Sequence, residues 1–271
     1  MSESKSDEII KFEIKRKVGK ITLNNGELNV FNRDLIYAFL DLLKEIKNNE
    51  ELKKKVRVVM IQSDSPKAFS AGFDLKAVTG IDEDVIQLFM KDGGEFIYDL
   101  TTMPIPTLCL MNGYAIGIGF LIGVACDFRY CTEDTQFQLP EIIYEGMFPT
   151  HGGCTTLPKI VGLSNAKYML CTGDRINAHT ALKIGLVNEC FKTKEEMLKK
   201  GYKFAKTMST KNPLIMQLIK AAVHTCAKSN IEKGMAIEEE AFRIVASVDK
   251  DRDKLKDKFI EKYLLEKYYN K

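Results

Sequence analysis

Apolar and polar residues follow two different patterns along this chain, and the change between them divides the sequence. In the first part, short apolar runs are bounded by glycine, proline or charged residues, as buried strands usually are. Val56–Ile61, which is apolar except for Arg57, and Thr107–Met111 are the clearest of these runs. After Gly162 the apolar residues recur at helical spacing, with one short strand near Val187–Phe191. The pattern predicts an α/β fold that ends in helices.

The strand-like runs are followed by a turn and a helix-like segment, and this unit repeats. Val56–Lys76 and Thr107–Asp127 each contain a strand, a glycine turn and a helix, and Phe128–Pro149 contains a weaker copy. We interpret these segments as a loose ββα repeat that builds a spiral of sheets. We predict this core over residues 1–195 and a helical region, used for packing or assembly, over residues 196–271.

Local signals predict the boundaries of further elements. Ile10–Leu23 is expected to form a hairpin with its turn at Gly19. Asn32 is expected to cap a helix whose apolar side chains keep to one side. Another helix is expected over residues 82–101. The later helices are predicted over residues 164–171, 178–184, 194–209, 213–228, 231–247 and 251–268.

The stretch from Thr107 to Glu141 is the part of the chain most suited to chemistry. Gly117 and Gly119 allow the backbone to turn sharply before a helix. The start of a helix presents unpaired N–H groups, which favour negative charge. A buried strand and helix without any chemistry would show the same pattern, because short glycine motifs are weak signals.

A membrane span is a third interpretation of this apolar stretch. Between Thr107 and Cys126, Asn112 is the one strongly polar side chain. Two prolines stand at its entrance, a turn sequence lies inside it, and no basic cluster flanks it. We therefore expect the core of a soluble protein rather than a membrane protein.

Composition limits the remaining classes of protein. The 271 residues carry a net charge of +3, which does not demand nucleic acid and leaves anionic small molecules open. The seven cysteines form no C-x-x-C pair, and with three histidines they give no metal pattern. Residues 1–7 lack the features of a signal or transit peptide. We expect a cytoplasmic protein with no metal site.

Several blocks of the sequence, in the right order, resemble the crotonase superfamily, which contains the enoyl-CoA hydratases and isomerases. These blocks are Ala68–Lys76, Asn112–Arg129, Phe137–Ile142 with Phe148–Gly153, Leu170–Ile176, Ala181–Val187 and Phe259–Lys262. The resemblance implies a crotonase-like spiral of ββα units with a C-terminal helical region. It also implies an acyl-CoA substrate, no cofactor beyond the coenzyme A of that substrate, and a homotrimer or dimer of trimers.

The resemblance implies an active site as well. Family members polarise the thioester carbonyl with two backbone N–H groups, which by position are those of Phe73 and Ile118. In two-carboxylate hydratases of this family, one Glu follows the glycines and another lies in a Pro-Glu turn. Glu141 keeps the second position, whereas Leu121 stands at the first. The resemblance therefore favours double-bond isomerisation by Glu141 alone over hydration, which is kept as an alternative.

Further residues are expected to contact the substrate. They are Ala71, Gly72, Asp74, Lys67, Lys76, Gly117, Gly119, Leu121, His151, Phe259 and Lys262. The lysines would meet the phosphates of coenzyme A, and Phe259 its nucleotide. Solvated lysines and a core position for Phe259 are the simpler interpretations. His151, like Glu145 nearby, is also open to interpretation as an ordinary loop residue.

Two hypotheses lie outside this reaction class. One is an RNA-binding relative that uses lysines such as Lys44, Lys47 and Lys53–Lys55. The other is a structural homologue without catalysis, which conflicts with the presence of Glu141 and of both glycine turns. We therefore expect an enzyme and consider nucleic acid an unlikely partner.

Overall fold

Two sheets form the framework of the protein. The computed structural model describes residues 9–74, 87–144, 147–247 and 251–265. The larger sheet has the spatial order β1 (Ile10–Lys15), β2 (Val18–Leu23), β3 (Val58–Ser63), β5 (Thr107–Met111), β7 (Phe128–Thr132) and β10 (Glu189–Phe191). The smaller sheet has the order β4 (Ala68–Ser70), β6 (Tyr114–Ile116), β8 (Gln136–Gln138) and β9 (Ile176–Asn177). In the described residues, β1 and β9 pair antiparallel to their neighbours and the other pairs are parallel.

From β3 to β8, successive strands alternate between these sheets, so the chain advances as a spiral. In the pairs β3 and β4, β5 and β6, and β7 and β8, the first strand joins the larger sheet and the second the smaller one. Strands β3 and β5 are buried along their whole length, as parallel strands covered on both faces should be. The predicted α/β spiral with a C-terminal helical region is confirmed.

The first hairpin forms as predicted, but its turn is not at Gly19. Arg16 and Lys17 make the turn and have positive φ angles of 51° and 65°. Gly19 instead lies inside β2, where a Cβ atom would come within 2.9 Å of Val56 Cγ1 and 3.0 Å of Phe12 Cε2. The glycine therefore serves close packing in the core and not the reversal of the chain.

The helix predicted after Asn32 is present. Helix α1 (Arg33–Asn48) begins where the Asn32 side chain accepts a hydrogen bond from the Leu35 N–H at 3.0 Å. The short helix α2 (Glu50–Lys55) follows it. The cap satisfies a backbone group that the first turn of a helix leaves unpaired, and the apolar side of α1 faces the core.

The helix predicted over residues 82–101 begins differently in its described part. Residues 82–86 lie outside the described residues. Gln87–Asp92 form a π-helical turn, and helix α3 (Gly93–Thr101) continues from it. In α3, Phe96 stacks on Phe31 with ring centroids 5.9 Å apart. This contact fixes α3 against the segment that precedes α1.

The apolar stretch considered as a membrane span folds into three short elements. Strands β5 and β6 are followed by helix α4 (Ile118–Ala125), in which every residue is buried. Eight residues of helix reach far less than the thickness of a bilayer. In the part of the chain that the structure describes, no helix is long and apolar enough to cross a membrane.

Six helices are described in the second half of the chain. They are α5 (Leu157–Thr172), α6 (Ala178–Lys183), α7 (Lys194–Ser209), α8 (Pro213–Cys226), α9 (Ile231–Ala246) and α10 (Arg252–Tyr263). Helix α5 is kinked at Gly162, whose φ of 80° is not helical. The predicted helices over residues 164–171 and beyond correspond closely to these segments, except that residues 266–268 of the last prediction lie outside the described residues.

The helices of this half pack on two different cores. Helix α7 lies on the larger sheet, and a Cβ atom on its Gly201 would come within 2.7 Å of Leu110 in β5. Helices α8, α9 and α10 bury a separate apolar cluster among themselves. The division predicted at residue 195 stays a prediction, and in this structure the change of packing partner falls between α7 and α8.

Candidate active site

Two glycine loops meet at the ends of neighbouring strands of the smaller sheet. Gly72 follows β4 and Gly117 follows β6, with φ angles of 95° and 52°. A Cβ atom at Gly72 would lie 3.0 Å from the carbonyl oxygen of Ile116, and one at Gly117 would lie 3.9 Å from the Gly72 Cα. The loops thus touch backbone to backbone, which a side chain at Gly72 would prevent.

Helix α4 begins directly behind this junction because another glycine lets it approach β4. A Cβ atom at Gly119 would lie 2.5 Å from the Cβ and 2.8 Å from the carbonyl oxygen of Ser70. Ile118 is the first residue of α4, so its N–H has no acceptor within the helix. The close packing therefore places the positive end of α4 beside the loop of Gly72.

The backbone of Phe73 is oriented by pairing with Phe31. The Gly72 carbonyl accepts a hydrogen bond from the Phe31 N–H at 2.8 Å, and the Asp74 N–H donates to the Phe31 carbonyl at 3.1 Å. Phe31 and Phe73 thus form a parallel bridge. Since successive groups of an extended backbone point in opposite directions, the Phe73 N–H points away from Phe31.

Glu141 brings a carboxylate to the same junction. It begins a 3₁₀ turn, Glu141–Ile143, shortly after strand β8. Its Oε1 lies 3.8 Å from the position of a Cβ atom at Gly117. The Gly117 N–H also donates to the carbonyl of Gln138, the last residue of β8, at 2.9 Å. The strand that leads to Glu141 is therefore hydrogen-bonded to the glycine loop.

The environment of the Glu141 carboxyl favours its neutral form. The residue is 9% exposed, and its Oε2 has no hydrogen-bond partner among the described residues. Burial raises the pKa of Glu141 above its ordinary value, because a buried carboxylate loses the solvation that water gives its charge. A buried oxygen without a partner is costly in a folded protein, so it points to a functional position.

The turn of Glu141 is held from the far side by the end of α5. A Cβ atom at Gly173, which ends α5 with a φ of 67°, would lie 2.9 Å from side-chain atoms of both Ile142 and Ile143. The Gln138 amide donates to the Gly173 carbonyl at 2.8 Å. The main chain around Glu141 is thus fixed on both sides, while its carboxyl faces the glycine loops.

A buried polar network, which the sequence did not indicate, supports the first loop. Asn29 donates to Ser63 Oγ at 2.7 Å and to the Phe69 carbonyl at 3.0 Å. Ser70 Oγ donates to the Asn29 carbonyl at 2.8 Å and accepts from the Gly72 N–H at 3.1 Å. Asn29, Ser63 and Ser70 are buried. The network links the segment before α1 to the loop of Gly72.

His151 lies against the aromatic ring of Phe73. The two ring centroids are 5.8 Å apart in an edge-on arrangement. His151 Nδ1 shares a hydrogen bond of 2.6 Å with Thr150 Oγ1. The half-buried His151 therefore connects the loop that follows the Glu141 turn to the residue after Gly72.

Comparison with known proteins gives this geometry a family. A sequence model described as enoyl-CoA hydratase/isomerase matches residues 13–266 of the chain. The protein belongs to the enoyl-CoA hydratase/isomerase family. The match covers the glycine loops, Glu141 and the helices that follow, so the protein is an enzyme of that family.

Relatives and solved structures agree with this assignment. The chain is 29% identical over 256 residues to the crotonyl-CoA hydratase of Syntrophomonas wolfei, covering 94% of this chain and 96% of that protein. It is also 29% identical over 256 residues to the short-chain-enoyl-CoA hydratase of Clostridium acetobutylicum, covering 94% of this chain and 95% of that protein. The crystal structure of the enoyl-CoA hydratase from Bacillus anthracis superposes with a TM-score of 0.82 at 27% identity, covering 95% of this chain and 98% of that one.

Leu121 and Ala71, which were predicted to contact the substrate, belong to the helix and the loop that frame the site. Leu121 is 2% exposed, and its N–H donates to the Gly117 carbonyl at 3.0 Å, so it lies one helical turn into α4. The Ala71 N–H donates to the Leu28 carbonyl at 2.9 Å and helps to fix the loop before Gly72. Their roles toward a substrate stay predictions.

The residues expected to contact coenzyme A do not form one cluster in the described part of the structure. Lys67 is exposed and pairs with Glu27 at 2.6 Å. Lys262 pairs with Glu240 at 3.0 Å on the surface of the C-terminal helices. Phe259 is 1% exposed inside the cluster of α8, α9 and α10, so in this structure it is a core residue, and its contact with the nucleotide stays a prediction. Lys76 and Glu145 lie outside the described residues.

Proposed function

We propose that this enzyme moves a double bond within an acyl-CoA thioester, interconverting 3-enoyl and 2-enoyl esters through an enolate. Glu141 is the single carboxylate that carries the proton. The observation that carries the proposal is the buried Oε2 of Glu141, unpartnered among the described residues, in a carboxyl group next to Gly117. A carboxyl in that position can take a proton from one carbon and return it to another.

The two backbone donors supply the second half of the mechanism. When a proton leaves the carbon beside the thioester, negative charge develops on the carbonyl oxygen. The N–H groups of Phe73 and Ile118 flank the junction of the loops, and α4 adds its positive end. A fixed donor aimed at such an oxygen in a dry site contributes about 3 kcal/mol to lowering the barrier.

The raised pKa of Glu141 suits its proposed task. A general base whose pKa approaches the working pH transfers protons most effectively in both directions, contributing about 10²–10⁴-fold to the rate. Burial moves the pKa of Glu141 in that direction. In isomerisation the same carboxyl acts first as base and then as acid, so a second carboxylate is not needed.

Leu121 supports isomerisation over hydration. It stands where two-carboxylate hydratases of this family carry a second glutamate, and it is buried. A leucine side chain offers no acceptor that could orient or activate a water molecule. A buried apolar group at this turn of α4 instead helps to keep water away from the enolate.

Hydration is the second candidate, and the relatives favour it. The proteins of Syntrophomonas wolfei and Clostridium acetobutylicum are named as hydratases. Under this alternative another group holds the water, and Glu145, in the segment that follows the Glu141 turn, is the first candidate by sequence. Its position lies outside the described residues.

The two candidates are separated by comparing rates on matched substrates. We expect the wild-type enzyme to interconvert 3-enoyl- and 2-enoyl-CoA faster than it adds water to the 2-enoyl ester. Leu121→Glu should raise hydration relative to isomerisation, at a cost of about 2 kcal/mol or more in stability because a carboxyl is buried. Efficient hydration of 2-enoyl-CoA by the wild type would refute the single-carboxylate mechanism and favour the hydratase.

Assembly into a homotrimer or a dimer of trimers is part of the proposal. Helix α9 exposes Ile231, Met235 and Phe242 to 79%, 64% and 70%. Large apolar side chains exposed on one helix are typical of a surface that another protein covers. Light scattering coupled to size-exclusion chromatography tests this part, and a monomer at micromolar concentration would contradict it.

A further inference from the structure

Two rings converge on the first residue of helix α3. A Cβ atom at Gly93 would lie 3.1 Å from His151 Nε2 and 3.4 Å from Phe73 Cζ. The tips of both side chains therefore occupy the space that any larger residue at this position would fill. Gly93 is buried, so this contact lies within the protein. Helix α3, the loop of Gly72 and the loop after Glu141 are joined at this point.

The backbone of His151 is held in an unusual conformation to make this contact. Its φ is 50°, in the left-handed region that non-glycine residues seldom adopt. The hydrogen bond with Thr150 Oγ1 fixes the imidazole from its other nitrogen. A residue kept in a strained conformation with an oriented side chain points to a role beyond filling space.

We propose that His151 is a positioning residue for the reaction. Its imidazole, packed against Gly93 and hydrogen-bonded to Thr150, contacts the ring of Phe73 edge-on and thereby keeps the Phe73 N–H aimed at the substrate carbonyl. This inference rests on the proposed function, because it assigns His151 an effect through the backbone donor of Phe73. His151 itself neither carries the proton nor needs to touch the reacting atoms.

The first test replaces the imidazole without changing the backbone. Asn tolerates positive φ, so His151→Asn keeps the loop conformation and removes the contact with Phe73. We expect kcat for isomerisation to fall about tenfold or more, because a small misplacement of a catalytic group is costly, while KM changes little. The shape of the pH profile should stay that of the wild type, since Glu141 remains the titrating group.

The second test disturbs the same contact from the opposite side. Gly93→Ala adds a methyl group against His151 and Phe73 while favouring the helix by about 1 kcal/mol. We expect a lower kcat without a lower melting temperature, and a smaller effect of Gly93→Ala in the His151→Asn background. Gly234→Ala is the matched control, because a Cβ atom there meets its nearest neighbour, Cys226, at an ordinary 3.7 Å.

The outcomes separate this inference from the proposed function. A folded His151→Asn enzyme with wild-type kcat, beside an inactive Glu141→Gln enzyme, would overturn the positioning role and leave the proposed reaction intact. Loss of one limb of the pH profile in His151→Asn would overturn it too, because the histidine would then be a proton carrier. If His151→Asn does not fold, additive effects of Gly93→Ala and Thr150→Val on kcat would refute the role, whereas coupled effects would support it.

Discussion

Replacing Gly119 with alanine tests whether the start of α4 must approach β4 as closely as the structure shows. The new Cβ atom would lie 2.5 Å from the Cβ of Ser70 and 2.8 Å from its carbonyl oxygen. Ser70 is buried and its hydroxyl is bonded to Asn29 and Gly72, so it has little freedom to yield. To restore an ordinary contact of at least 3.4 Å, α4 must move by about 1 Å.

That displacement sets the expected loss of activity. Ile118 is the neighbour of Gly119, so the proposed donor moves with the helix. A shift of about 1 Å can cost about 10²-fold in rate, close to the effect of removing one oxyanion donor. Stability should change less, because overpacking costs about 1–3 kcal/mol and alanine returns about 1 kcal/mol of helix propensity.

The assay is the steady-state isomerisation of a 3-enoyl-CoA ester, with thermal unfolding to verify the fold. Gly123→Ala is the matched control, since it makes the same change one turn later in α4. The Cβ atom there would meet Met111 Sδ at 2.7 Å, near the end of a flexible side chain that can move away. A folded Gly119→Ala enzyme as active as the Gly123→Ala control would refute the reasoning.

Three further predictions concern stability. Burial raises the pKa of Glu141 in the folded state, so the stability of the wild type falls as pH rises through that pKa. In urea unfolding, Glu141→Gln should therefore be as stable as the wild type at pH about 4 and more stable than the wild type at neutral pH. Asn29→Ala should lose about 2 kcal/mol or more of folding stability, because Asn29 makes buried hydrogen bonds and has a φ of 43°. Asn29→Gly should lose less, since glycine tolerates a positive φ, and equal losses would show that backbone conformation does not contribute. Lys220→Met should lose about 2 kcal/mol, because Asp127 loses its buried cationic partner at 2.6 Å and keeps, among the described residues, only its hydrogen bonds from Thr107. Lys53→Met at an exposed pair should change stability by about 0.5 kcal/mol or less.

The parts of the fold that follow from local rules could be predicted from the sequence. Asn32 caps α1 because its short polar side chain suits an unpaired N–H, and such a cap is visible in sequence. The turn at Gly117 was visible for a similar reason, since two glycines stand before an apolar run. Gly19 carried the same signal but serves packing against Val56 and Phe12. A glycine alone does not tell a turn from a close contact.

The supporting shell of the site could not be predicted because its partners are distant in sequence. Asn29 reaches Ser63 and Phe69, and neither spacing nor periodicity connects residues so far apart. The contact of His151 with Gly93 is of the same kind. The core position of Phe259 depends on how three helices close on one another, which the matching C-terminal motif did not reveal. The family resemblance identified Glu141, and the structure shows that its Oε2 has no hydrogen-bond partner among the described residues.

The central claim is that Glu141 carries the proton, and Glu141→Gln tests it most directly. Glutamine keeps the size and the hydrogen-bonding capacity of the side chain but cannot accept a proton as a carboxylate does. Turnover of a 3-enoyl-CoA ester should fall at least about a hundredfold, while the dissociation constant of a CoA ester stays close to that of the wild type. Near-wild-type turnover in the Glu141→Gln enzyme would contradict the account and assign the proton to another group.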